Sequence, residues 1–208
     1  MRKNELKIAS AFSLIYFLMN MVYSYFIVYQ EPKRWFITLS LIIMTICNAV
    51  IFLYLKKFLK YYYNVKDRNY TIYTIIALES FINIVLICCY KNIDPFKEYY
   101  FVYVIILAVA TAVLMGFYMA LASKLMRVAK KSTRLMIPFA YSFYLIPLTI
   151  FVTFFYALLQ GQDLVDAFEI HDTSLIFSFL KSFPFLLLMA LYYRAWLKKH
   201  RKHQHSGN

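Results

Sequence analysis

Six apolar stretches, each close to the ~20 residues a helix needs to cross the hydrocarbon core of a bilayer, alternate in this chain with short polar segments sorted by charge. They are read as Ile8–Tyr29, Trp35–Leu55, Tyr70–Tyr90, Tyr99–Ser123, Met136–Gln160 and Thr173–Trp196. No water is available in lipid to satisfy backbone N–H and C=O groups, so runs of this length fold as helices. The expected fold class is all-α: a polytopic integral membrane protein, one bundle of six transmembrane helices over residues 1–208, with a basic, disordered cytoplasmic tail at 197–208.

The basic residues set the expected orientation. Arg2, Lys3 and Lys7 precede the first stretch, and Lys56, Lys57, Lys60, Lys66 and Arg68 follow the second. Lys124, Arg127, Lys130, Lys131 and Arg134 follow the fourth, and Arg194, Lys198, Lys199, Arg201 and Lys202 close the chain. The other side holds Lys33, Arg34, Lys91 and Lys97. By the positive-inside rule both termini are cytoplasmic, N-in and C-in, and a bacterial cytoplasmic (inner) membrane is the expected location. The first stretch exceeds the roughly 7–15 residues of a signal-peptide core and lacks a small-x-small cleavage site, so it is expected to stay as an anchor.

Composition limits the function classes. Hydrophobic residues make up 62% of the chain, mean hydropathy is +0.59, and the polar segments are short, which leaves no room for a separate soluble domain. In a soluble protein a net charge of +13 would point to nucleic acid. Here nucleic acid is not expected: the charge sets topology and attracts anionic lipid headgroups, at about 1 kcal/mol per basic residue near the surface. Another membrane or cytoplasmic subunit at the basic loops 56–68 and 124–134, and a homo-oligomer, are the further partners expected. Cys47 lies mid-stretch and Cys88 and Cys89 are adjacent, without C-x-x-C spacing, so neither redox nor zinc chemistry is expected.

Two ionisable residues fall inside the apolar stretches, Glu79 in the third and Lys181 in the sixth. Burying either charge alone is costly. Glu79 lies about 13 Å from the cytoplasmic end of its stretch and Lys181 about 12 Å from the outer end of its own, in a core of roughly 30 Å, so their depths differ by about 5 Å. An intramembrane ion pair is expected. Asn83 follows Glu79 on the same helical face, and Asn20, Thr45, Asn48, Thr111 and Ser142 fall in the middle of their stretches, forming a candidate polar interior. Such residues also serve as interhelical hydrogen-bonding glue.

Pro138 and Pro147 are expected to interrupt the fifth helix and Pro184 the sixth, each removing a backbone hydrogen bond. In the fourth, Ala108, Ala112, Gly116 and Ala120 recur every fourth residue, a smooth face on which another helix is expected to pack, of the same chain by preference or else of a second protomer. Tyrosines and tryptophans near the stretch ends, Trp35, Tyr61, Tyr62, Tyr63, Tyr99, Tyr100, Tyr192, Tyr193 and Trp196, read as an interfacial belt.

Between the fifth and sixth stretches, Asp163, Asp166, Glu169 and Asp172 recur every three residues without a Lys or Arg, which suits a short amphipathic helix on the outer surface. The run fits no EF-hand pattern, so no metal is expected there. His200, His203 and His205 belong to the basic tail. H-E-x-x-H is absent, all four histidines lie outside the apolar stretches, and Glu79 has no acidic partner at its depth. No enzyme activity and no cofactor are expected. The first expectation is a channel- or permease-type subunit that binds or moves a small solute or ion. The alternative is a scaffold, sensor or regulatory subunit coupling the acidic outer face to a partner on the basic inner loops.

Overall fold

The computed structural model describes residues 1–30, 33–65, 70–89, 98–129, 135–159 and 175–205. These residues are helical, without strands: α1 (Lys3–Tyr29), α2 (Arg34–Tyr63), α3 (Thr71–Cys89), α4 (Glu98–Ala129), α5 (Met136–Ser142), α6 (Leu145–Leu159) and α7 (Leu175–His205). α1, α2, α3, α4 and α7 are each long and apolar enough to cross a membrane, and a shorter apolar segment, Met136–Val152, covers α5 and the start of α6.

The fifth stretch is two helices rather than one. The break falls at Phe143–Tyr144 because Pro147 has no N–H to give the Phe143 carbonyl, and its ring would clash with that oxygen. The chain tightens there, with the Tyr144 N–H donating to the Tyr141 carbonyl at 3.0 Å, before helical bonding resumes from Leu148 to Tyr144 at 3.2 Å. Pro138 does not interrupt: it lies in the first turn of α5, where no helical donor is lost. Pro184 lies inside α7, which continues through it.

The helices outrun the apolar stretches. α2 continues to Tyr63, so Lys56, Lys57 and Lys60 project from a helix rather than a loop. It stops at Asn64, whose φ of 53° is left-handed, a conformation asparagine tolerates better than most residues. Lys124 and Arg127 likewise lie on α4, and α7 runs to His205, so 197–205 is helical where a disordered tail was expected. Lys66, Arg68, Lys130, Lys131 and Arg134, and the acids Asp163, Asp166, Glu169 and Asp172, lie outside the described residues.

α1 packs on α7 and α2, α2 on α3, α3 on α4, and α4 on α5 and α6, which return to α7. The α1–α7 contact is the most extensive. At the centre, the Phe52 ring meets Tyr118 at 6.1 Å, Phe143 at 6.3 Å and Phe185 at 6.1 Å between centroids, and Tyr16 lies on Phe185 at 4.4 Å. All five are buried. Tyr192 is also buried, with its hydroxyl donating to the Ile51 carbonyl at 3.5 Å, and so belongs to the core rather than the interfacial belt. Trp35, Tyr61, Tyr62 and Tyr193 are exposed.

The small-residue face of α4 points away from this chain's own helices. Ala112, Gly116 and Ala120 are exposed and Ala108 is half-buried, and a Cβ added to Gly116 would meet nothing within 4 Å. The buried face of α4 mixes large and small residues, Val104, Leu107, Leu114, Tyr118, Leu121 and Leu125 with Ala110, Ala122 and Ala129.

Candidate functional site at Glu79

Two contacts fix the antiparallel register of α2 and α3. At the start of α3, the Lys56 ammonium lies 3.8 Å from the centroid of the Tyr73 ring. Further along α3, the Asn83 Nδ2 donates to Thr45 Oγ1 at 2.8 Å, and that hydroxyl donates to the Leu41 carbonyl at 2.7 Å. Glu79 stands one turn before Asn83, so the register brings it level with the turn of α2 that begins at Asn48.

Glu79 is half-buried, and its Oε1 accepts a hydrogen bond from the Tyr118 hydroxyl of α4. α3 and α4 thus meet at one polar centre, beside which the Tyr118 ring lies 6.1 Å from that of Phe52 on α2. Lys181 of α7 is the cation whose charge reaches Glu79. It does so from beyond contact: among the described residues the ion pair within 4.0 Å is Lys57–Glu5, at 3.2 Å and largely exposed. The expected Glu79–Lys181 bridge is thus a longer-range interaction, and the group bonded to the carboxylate is a phenol. α3 packs on α2 and α4, which makes Tyr118 the closer polar tip.

The other predicted polar residues divide. Asn20 Nδ2 donates to the Ser178 carbonyl at 3.2 Å, Ser24 and Ser178 share a hydrogen bond of 2.6 Å, and Ser182 donates to the Ser178 carbonyl at 2.7 Å, all in the α1–α7 seam. Ser142 bonds the Phe139 carbonyl at 2.7 Å within its own helix. Thr111 is half-buried on α4, two turns outward of Tyr118. Asn48 differs from all of these: it is 2% exposed, and its Oδ1 has no hydrogen-bond partner among the described residues.

Sequence reasoning placed Glu79 and Asn83 in the interior but missed Tyr118 and Tyr16. A signal existed, since both tyrosines lie well inside their apolar stretches and away from the ends that explain interfacial tyrosines. Among the described residues no three His, Cys, Asp or Glu gather where they could hold a metal ion. A shallow groove of about 580 Å³ at the start of α2, lined by Arg34, Trp35, Thr38, Leu39 and Ile42, lies away from the polar centre.

Chemically, a carboxylate inside the bundle with one phenol donor and a distant cation is suited to receive positive charge. No protein-family model, curated protein or solved structure matches this chain.

Proposed function

We propose that this membrane protein is a channel- or permease-type subunit that binds or passes a small cation through its polar interior, with Glu79 as the charge-selecting group. The observation that carries the reading is the Glu79 carboxyl, inside an apolar helix, bonded to the neutral Tyr118 and without a cation in contact. A carboxylate kept only to fix helix packing would be neutralised by a contact partner. In this reading both termini lie in the cytoplasm of a bacterial inner membrane, six segments cross it with α5 and α6 forming the fifth crossing, and the basic helix ends meet anionic headgroups or a cytoplasmic subunit. No catalytic step is assigned. The test is cation and proton uptake in proteoliposomes: Glu79→Gln should abolish uptake while melting close to wild type. Uptake equal to wild type would remove the reading.

The packed aromatic centre favours a second reading, a scaffold or sensor. Phe52, Phe143 and Phe185 close together on the inner side of Glu79, as expected of a bundle that transmits a change of state rather than a solute. Wild-type protein without uptake of any cation, but with a partner captured at Lys56, Lys57 and Lys60, would support it.

A further inference from the structure

We propose that Glu79 and Asn48 together form a proton-binding site, in which the protonated Glu79 carboxyl accepts from Tyr118 through one oxygen and donates to Asn48 Oδ1 through the other. This rests on the reading of Glu79 as the group that receives positive charge, and names the species as a proton.

Hydrogen-bond demand at Asn48 is unmet among the described residues. A buried amide oxygen without a donor costs about the desolvation of that group, and nearly all such oxygens in folded proteins find a partner. Asn48 Oδ1 has none among the described residues. The donors around it are committed: Asn83 Nδ2 to Thr45, the Thr45 hydroxyl to Leu41, and the Tyr118 hydroxyl to Glu79. What the centre lacks is one donor at the level of Asn48, and the group at that level is Glu79. As a carboxylate, Glu79 offers only acceptors. One proton taken from water onto its other oxygen gives it the missing O–H and removes its charge; returning that proton to water restores the carboxylate. No other bond forms or breaks.

Position agrees with demand. Thr45–Asn83 and Lys56–Tyr73 bracket the two residues from either side and set them within a turn of the same level. Asn48 also stands one turn outward of Phe52, whose ring meets that of Tyr118. A larger cation fits this donor set poorly. A hard metal ion such as calcium takes about 6–8 oxygens, whereas one carboxylate, one amide oxygen and the phenols of Tyr118 and Tyr16 stand here among packed aromatic rings.

The groups that act on Glu79 come from each neighbouring helix. α4 supplies the Tyr118 hydroxyl, and α7 supplies Lys181, which is out of contact. α2 supplies Asn48, which does not titrate, with the buried Cys47 thiol beside it in sequence and Lys56 two turns past Asn48. In the proposed site the acid is held by Asn48 and the carboxylate by Tyr118.

The test is a pH-difference infrared spectrum of the full chain in lipid. A protonated-carboxyl band should titrate and be lost in Glu79→Gln. In Asn48→Leu its midpoint should fall by about one pH unit, a roughly tenfold loss of proton affinity equal to one hydrogen bond. Tyr118→Phe removes a donor to the carboxylate and should move the midpoint the opposite way. An unmoved midpoint in Asn48→Leu overturns the proposal, as does the absence of a Glu79 acid band at every pH where the protein stays folded. If Asn48→Leu does not fold, Glu79→Gln decides. Its amide can donate to Asn48 as the acid does, so it should melt at or above wild type, and melting below wild type at every pH overturns the site. Flux is read separately: a titrating band that depends on Asn48, without uptake, removes the transport reading and leaves the proton site standing.

Discussion

The α1–α7 seam and the α2–α3–α4 centre use similar polar residues to opposite ends. In the seam, Asn20, Ser24, Ser178 and Ser182 are buried and bonded to one another or to backbone carbonyls, and the helices lie in the most extensive contact of the fold. At the centre, Glu79 is bonded to a phenol, Lys181 stays out of contact with it, and Asn48 Oδ1 has no partner among the described residues. Small hydroxyls satisfied across a close interface act as glue, because nothing further is gained by moving them. An amide oxygen with unmet demand at the level of a carboxyl is where the proposed proton would be held.

The largest effect that would break this contrast is steric. Ser178→Leu in the tight seam should destabilise by about 1–3 kcal/mol through overpacking, read as the melting midpoint in detergent; a neutral result would mean the seam is as loose as the centre. Next, Tyr118→Phe reads the charge on Glu79. Losing a hydrogen bond to an ionised carboxylate should cost about 1.5–3 kcal/mol, against about 0.5–1.5 for a neutral acid, and the same melts should show the smaller loss at low pH.

A double-mutant cycle of Ser24→Ala with Ser178→Ala should give coupling of about 0.6 kcal/mol and no more than about 1.7, the range found for interhelical hydrogen bonds in lipid. The corresponding cycle of Glu79→Gln with Lys181→Gln should show coupling below about 0.5 kcal/mol, because the pair is not in contact; strong coupling, with each single mutant less stable than the double, would turn the centre into a structural bridge. Smallest in consequence for either region, Gly116→Ala on the open face of α4 should stabilise by up to about 1 kcal/mol through helix propensity alone. A loss instead, appearing only at protein concentrations where the chain self-associates, would place a helix of a second copy against that face.

Much of this was legible because lipid leaves a chain few options. Length and apolarity alone require helices, and Glu79 stands out since any acid in such a stretch has to be accounted for. Its partner was not legible. Depth matched Lys181 to Glu79, but depth says nothing about rotation around the helix, and it was the packing of α3 on α2 and α4 that brought the Tyr118 hydroxyl to the carboxyl. The partner of the stripe Ala108, Ala112, Gly116 and Ala120 was not legible for the same reason: periodicity shows that four residues share a face, not which way the face turns.

The sequence by itself determined that this chain is helical, which segments are apolar enough for a membrane, that prolines could divide the fifth and sixth of them, and that Glu79 would need compensation. These follow from local chemistry, namely the lack of water for the backbone, the missing proline N–H and the cost of a bare charge. Only the tertiary structure decided that Tyr118 meets Glu79, that Asn48 is left without a donor beside it, and that Tyr192 lies in the core. Those outcomes depend on how the described helices rotate and settle against one another. That balance is set by bulky side chains far apart in the chain filling one shared space, which no segment encodes alone.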